Sequence, residues 1–85
     1  MNRPEVAERT EAFVRDTFSV APDDPRFGRD VDLFGEGYVD SVGFTEVLAF
    51  IESEFGVEVP EEDLVSDEFA SIDGMAHIVC RLTDR

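Results

Sequence analysis

The sequence has a single cysteine, Cys80, and therefore cannot form an internal disulfide. Its first residues lack the apolar run that a secretory signal requires. No apolar stretch approaches the roughly 20 residues that a membrane-spanning helix needs. These absences predict a protein of the reducing cytoplasm that is neither secreted nor inserted into a membrane.

Lysine is absent, and the seven basic residues are all arginine. Against them stand 21 aspartate and glutamate residues, which gives a formal net charge of -14. Such a charge repels nucleic-acid phosphates and anionic lipids, so neither is an expected partner. It attracts basic patches on other proteins, and we expect brief, salt-sensitive encounters with partners of that kind. On composition alone, a role in solubility explains the same charge equally well.

Sustained strand alternation is missing as well, apart from the brief Val57–Val59, and the sequence contains no internal repeat. The chain is long enough for one domain, residues 1–85, with a modest core to which eight phenylalanines bring bulk. Apolar residues at helical spacing mark residues 4–18, 42–55, 60–64 and 72–82. The prediction is an all-α fold, a small four-helix bundle with three longer helices and one short helix.

Residues 19–39 join the first two helices and hold two prolines and three glycines, which interrupt both helix and strand patterns. A connection of this length is uncommon inside a compact domain. Six apolar residues give it a reason, because together they can pack onto the core: Phe27, Val31, Leu33, Phe34, Tyr38 and Val39. We therefore expect a long ordered loop with a mobile first half.

Metal sites fit the sequence poorly. A structural zinc centre needs about four Cys or His ligands, and the chain has one of each, His77 and Cys80, which we expect to be partly buried helix residues. A calcium loop that starts at Asp30 has Phe34 where an oxygen ligand belongs and Ser41 where a bidentate glutamate belongs. A weak calcium binder therefore stays as an alternative function that a calcium titration can test.

Asp40, Ser41 and His77 supply the residue types of a hydrolase triad. A nucleophilic serine also needs a strained strand-to-helix turn and an oxyanion hole, and no strand precedes Ser41. The simplest interpretation of Asp40-Ser41 is a helix cap, because either side chain can accept hydrogen bonds from the first turn of the second helix.

The surroundings of Ser41 carry more information than the dipeptide. The helix follows LFGEGYVDSV (residues 33–42) and ends in ESEFGVEVP (residues 52–60). This arrangement resembles the phosphopantetheine-attachment region of acyl carrier proteins, and the similarity extends over nearly the full chain.

The resemblance implies that the hydroxyl of Ser41 receives 4'-phosphopantetheine from coenzyme A through a separate Mg²⁺-dependent phosphopantetheinyl transferase. Asp40 matches the acid that precedes the modified serine. Electrostatics agrees, because a phosphodiester at a helix N-terminus meets oriented N–H groups and the positive end of the helix dipole. Ser41 is expected to be exposed, unactivated and inert alone.

Val42-Gly43 departs from the family pattern, which commonly has leucine and then a polar residue after the serine. Glycine costs about 1 kcal/mol of helix propensity. Gly43 either loosens the start of the helix or lets a transferase or the arm come close, and the sequence leaves both open.

Projection of the second helix places Val42, Glu46 and Ala49 opposite its apolar stripe, with Glu52 at the border. In the resembling family this helix is the face that partner enzymes contact, and Phe69 lies where a residue beside the arm would be. We therefore predict that these five residues form a recognition surface. A merely solvated helix face is the competing interpretation.

The resemblance implies a carrier and not an enzyme. We expect a free-standing monomer that holds acyl intermediates as thioesters for acyl-loading and acyl-processing enzymes of fatty acid, polyketide or other specialised synthesis. A peptidyl or aminoacyl carrier is the alternative within this class, and a small acidic adaptor without a cofactor is the alternative outside it. Whether the cargo folds back between the helices or stays outside is left open.

Overall fold

Residues 2–84, which the computed structural model describes, contain four α-helices and one 3₁₀ helix. The α-helices run over Arg3–Thr17 (α1), Ser41–Phe55 (α2), Glu61–Leu64 (α3) and Ile72–Thr83 (α4). The 3₁₀ helix, Asp67–Ala70, is not indicated by the apolar spacing. The predicted all-α bundle of three longer helices and one short helix is confirmed. None of the helices in this part of the chain is both long and apolar enough to cross a lipid bilayer.

The core lies between α1, α2 and α4. On α2, the predicted apolar stripe is fully enclosed at Val47 and Ile51. Its other members keep part of their surface exposed: Phe44, Leu48 and Phe55. The inward face of α4 is buried at Ile72, Met75, Ala76, Ile78 and Val79. α2 is thus the less deeply embedded of the two helices, which leaves more of it available to other molecules.

α1 and α2 pack in opposite directions along a seam of aromatic rings. Midway along α1, the rings of Phe13 and Phe50 stack with their centroids 4.2 Å apart. Just beyond the end of α1, the ring of Phe18 lies against Gly43 in the first turn of α2. The C-terminal end of α1 therefore borders the N-terminal end of α2.

The long connection between α1 and α2 is fixed by backbone hydrogen bonds to the C-terminal part of the chain. The N–H of Leu33 donates to the carbonyl of Ala70 at 2.9 Å, and the N–H of Asp73 donates to the carbonyl of Arg29 at 2.8 Å. Leu33 and Val39 are almost fully buried. The second half of the loop is ordered as predicted, and it leads directly into α2.

Ion pairs join separate segments of the fold, and two groups of them illustrate this. Glu11 of α1 accepts hydrogen bonds from Arg29 at 2.7 Å and from Arg15 at 2.8 Å, and these bonds hold the pKa of the Glu11 carboxyl below its usual value. Arg81 of α4 donates to one carboxylate oxygen of Asp63 in α3 at 2.6 Å, while the other oxygen of Asp63 is buried without a partner. The first group ties the loop to α1, and the second ties α3 to α4.

Gly43 is buried, and its missing side chain is what lets the loop close on α2. A Cβ atom at this position would lie 2.7 Å from Cε1 of Phe18 and 2.9 Å from Cγ1 of Val39. Real Cβ atoms do not approach other carbons so closely, since protein interiors are already close-packed. The contacts support neither of the two explanations that the sequence left open, a looser helix start or room for a transferase or the arm. They show instead that glycine at position 43 makes room for the packing of Phe18 and Val39.

Gly43→Ala is expected to lower the free energy of unfolding by about 1 kcal/mol. Alanine gains about 1 kcal/mol in helix propensity, but over-packing a core by one methyl group costs about 1–3 kcal/mol. Urea unfolding followed by circular dichroism measures the difference.

Ser53→Ala, on the exposed face of the same helix, is the control and should change stability by less than about 0.5 kcal/mol. Phe18→Leu in the Gly43→Ala background should recover part of the lost stability, because it replaces the obstructing ring with a smaller side chain. A Gly43→Ala protein as stable as the parent would contradict the packing explanation.

Candidate functional site

Ser41 is the first residue of α2 and is exposed to solvent. Asp40 precedes it in extended conformation as the N-cap, and its carboxylate Oδ1 accepts the N–H of Gly43 at 2.7 Å. The backbone carbonyl of Asp40 accepts the N–H of Phe44 at 2.8 Å. Both polar groups of Asp40 thus hold the helix start, and Ser41 stands beside them with its hydroxyl facing water.

The start of α2 suits an attached anion. The first N–H groups of a helix have no partner within it, and here the cap occupies that of Gly43 while those of Ser41 and Val42 remain for a ligand. A phosphate on Ser41 would meet these N–H groups and the positive end of the helix dipole. The carboxylate of Asp40 is turned toward Gly43, which limits its repulsion of the phosphate.

Within residues 2–84, no hydrogen bond joins Ser41 to His77. His77, the residue that a hydrolase triad would need, is exposed on α4, where Nδ1 of its ring makes a short hydrogen bond with Glu68 of the 3₁₀ helix. The expectation that His77 is partly buried is wrong, because its position on α4 points away from the core; Cys80 is half-buried as expected. Residues 2–84 thus show no hydrogen-bonded triad of Asp40, Ser41 and His77.

Asp32, one of the loop acids in the calcium-like stretch, stabilises a turn. One carboxylate oxygen of Asp32 accepts the N–H of Phe34 at 3.1 Å and the N–H of Gly35 at 2.8 Å. Within residues 2–84, no three His, Cys, Asp or Glu side chains are grouped so that they could hold a metal ion.

Three of the predicted recognition residues share an exposed face of α2. Val42, at the start of the helix, is 67% exposed, and Glu46 and Ala49 are also exposed. Their spacing of four and three residues puts them along one side of the helix. This face extends from the residue next to Ser41 toward the middle of α2.

Glu52 has a structural role that its position at the border of the helix face did not reveal. It is half-buried, and its Oε2 accepts the N–H of Val59 at 3.0 Å. α2 ends after it at Gly56, whose φ of 65° lies in the left-handed region that favours glycine. The carboxylate of Glu52 therefore holds the chain that leaves α2.

The prediction that Phe69 belongs to an exposed recognition surface is wrong. Phe69 is 1% exposed in the 3₁₀ helix, and its ring packs against that of Phe44 with centroids 5.6 Å apart. A large apolar ring is buried wherever the fold offers a place for it, and this place is created by the unpredicted 3₁₀ helix. Val65, which follows α3, is 80% exposed, and the sequence analysis did not predict this exposed apolar residue.

The charge around the site is of one sign. Between Arg29 and Arg81 the sequence holds 14 of its 21 acidic residues and no lysine or arginine. This segment includes all of α2 and α3, so the exposed face of α2 lies in the acidic part of the molecule. Basic partners would be drawn to this part first.

Residues 11–79 match the family described as the phosphopantetheine attachment site. Ser41 and both stretches around it lie within the match. The chain belongs to the phosphopantetheine carrier protein family. A carrier of this family is not itself catalytic, and it holds 4'-phosphopantetheine covalently.

Two relatives show the range of the family. The carrier is 34% identical over 67 residues to the acyl carrier protein of Thermosynechococcus vestitus, an alignment that covers 74% of this chain and 75% of that one. It is 38% identical over 55 residues to the D-alanyl carrier protein of Bacillus velezensis, with 65% and 67% covered. No solved structure matches the chain significantly.

Removal of the cap should weaken the start of α2. Asp40→Ala is expected to lower the free energy of unfolding by about 1 kcal/mol, because the N–H of Gly43 loses its acceptor. Asp40→Asn keeps an amide oxygen there and should cost only a few tenths. Urea unfolding measures both, and amide hydrogen exchange locates the effect in the first turn of α2.

Ser71→Ala is the matched control, since the Ser71 hydroxyl accepts the N–H of Gly74 and caps α4 in the same way at 3.0 Å. It should cost a similar free energy and speed exchange at the start of α4 instead. Equal losses for Asp40→Asn and Asp40→Ala would show that charge, and not the acceptor oxygen, matters at Asp40.

Proposed function

We propose that this protein carries acyl groups as thioesters on a 4'-phosphopantetheine arm attached to Ser41. The observation that supports this most directly is an exposed serine hydroxyl in the first turn of α2, within the region that matches the attachment-site family. The acyl carrier relative favours an acyl cargo.

Attachment needs an outside enzyme. The Oγ of Ser41 forms a bond to the phosphorus that carries the pantetheine of coenzyme A, and the pyrophosphate P–O bond breaks to release the adenosine bisphosphate. The hydroxyl proton must pass to a base of the phosphopantetheinyl transferase, because His77 is engaged with Glu68 in the carrier. The chain itself supplies the anion site at the helix start.

Delivery uses the exposed face of α2. The partners are enzymes with basic docking patches that load, process or remove the acyl group, in fatty acid, polyketide or other specialised synthesis. The net charge of -14 repels a second copy of the carrier, and we expect a monomer that acts in the cytoplasm. Phe69 takes no direct part in docking because it is buried.

An amino acid is the second candidate cargo, favoured by the D-alanyl carrier relative. Offering the holo-protein to an amino-acid-adenylating enzyme and, in parallel, to a malonyl transferase separates the two cargoes. Intact mass then shows which group was loaded.

Attachment is tested by incubating the protein with coenzyme A and a promiscuous phosphopantetheinyl transferase. Intact mass should show one added phosphopantetheine on the parent and none on Ser41→Ala. Circular dichroism should show that Ser41→Ala remains folded. Ser53→Ala removes another exposed serine of α2 and should be modified as fully as the parent. An unmodified parent, or a modified Ser41→Ala, would refute the proposal and favour an adaptor without a cofactor.

Charge-dependent docking is tested with Glu46→Arg. Reversal of a surface charge that meets a basic patch is worth about 1 kcal/mol, so transferase kcat/KM should fall roughly fivefold at low ionic strength. The loss should shrink as added salt screens the interaction. Glu8→Arg, an equal charge change on exposed α1, is the control and should have a smaller effect. Equal losses for both variants, or a loss that salt does not reduce, would contradict an electrostatic role of the α2 face.

A further inference from the structure

Three phenylalanine rings lie together below the first turn of α2. The rings of Phe34 and Phe44 have their centroids 5.6 Å apart, and those of Phe44 and Phe69 are also 5.6 Å apart. Phe69 is fully enclosed, and the other two are half-buried. We call Phe34, Phe44 and Phe69 the aromatic cluster; Phe34 comes from the long loop, Phe44 from α2 and Phe69 from the 3₁₀ helix.

The aromatic cluster adjoins the first turn of α2 through Phe44, and its inner member, Phe69, belongs to the core. Phe44 follows Ser41 by three residues, so the two side chains are neighbours on the surface of α2. Side chains in a helix lean toward its N-terminus, which brings the ring of Phe44 under the turn that contains Ser41. A chain tethered to Ser41 that entered the bundle at this point would meet the ring of Phe44 first.

The opposite flank of the helix start is filled as well. Phe18 and Val39 lie so close to Gly43 that not even a methyl group fits between them and α2. An open groove of about 420 Å³ does occur on the surface, but it is lined by α1 and the segment after it and by no residue of α2: Ala12, Arg15, Asp16, Val20 and Pro22. Neither flank of the helix start offers a route for a flexible chain.

Entry of an alkyl chain would require a ring to leave. The chain would gain by withdrawing its methylene groups from water, while the displaced ring would lose its own burial and its contacts with the neighbouring rings. Rings in a close-packed interior do not yield part of their space without a shift of their neighbours. Aromatic side chains at this position therefore favour a cargo that stays in solvent.

We propose that the aromatic cluster keeps the acyl cargo outside the helical bundle. This inference rests on the proposed attachment at Ser41. It adds a location for the cargo, in solvent outside the bundle. A carrier of this kind sets no limit on the length of the chain, presents the thioester to a partner without first releasing it from a core, and leaves it open to small nucleophiles.

The test compares short and long cargo on the same protein. A promiscuous transferase installs acetyl and octanoyl phosphopantetheine as stable amide analogues, and intact mass verifies each product before any further measurement. A failure to gain mass refutes attachment; it is thus distinguishable from a failure of the present inference. The acetyl and octanoyl forms should have equal melting temperatures and equal amide chemical shifts at Ile51 and Phe69. A higher melting temperature of the octanoyl form, with shifts at these core residues, would overturn the inference.

Phe44→Ala should open the bundle. In this variant the octanoyl form is expected to melt at least about 4 °C above the acetyl form, as burial of a few methylene groups stabilises a domain of this size. Phe44→Leu, a milder change, serves if Phe44→Ala does not fold. Phe55→Ala removes a half-buried ring near the other end of α2, where it packs on Phe50, and should leave the two forms equal. If the octanoyl and acetyl forms of the Phe44 variants differ in melting temperature no more than those of the parent, the aromatic cluster is not the barrier.

Discussion

The proposed attachment site depends on one capping hydrogen bond, in which the carboxylate of Asp40 accepts the N–H of Gly43 at 2.7 Å. The bond fixes where α2 begins, and so it fixes that the next residue, Ser41, has its hydroxyl outside the helix and in water. The same glycine lets Phe18 and Val39 press against the helix start. One turn of chain therefore combines an exposed polar side, where we propose that the arm is attached, with a tightly packed apolar side.

Arginine holds the molecule together while most of the acidic surface stays uncompensated. Arg9 pairs with Glu54 across α1 and α2, and Arg81 pairs with Asp63 across α4 and α3. Exposed pairs of this kind contribute little stability individually, so their main effect is to set which segments are neighbours. No lysine or arginine lies between residues 30 and 80. On α2, Glu54 is paired with Arg9, whereas Glu46 is in none of the ion pairs found within residues 2–84 and can meet the basic partners that we propose.

The features that sequence reasoning predicted are local ones. The caps at Asp40 and Ser71 follow from side-chain chemistry within three residues, and the burial of Val47 and Ile51 follows from helical spacing. The features that it missed depend on contacts between distant segments. The reason for glycine at position 43 is a ring 25 residues earlier, and the burial of Phe69 depends on a 3₁₀ helix that no spacing pattern marks. The exposed face of α2 could be predicted from the sequence, but the packing of Phe18 and Phe69 against this helix could not.

The position of the cargo decides what the acidic face must achieve. A carrier that encloses its cargo needs a partner able to draw the chain out, and that step requires a specific change of packing in the core. A carrier whose core is closed by aromatic rings needs a partner only to bring its active site to the thioester, for which a weak, rapidly formed electrostatic encounter is sufficient. The packed rings of the aromatic cluster and the exposed Glu46 are consistent with each other under these proposals, in which the enzymes select the cargo and the carrier contributes an attachment point.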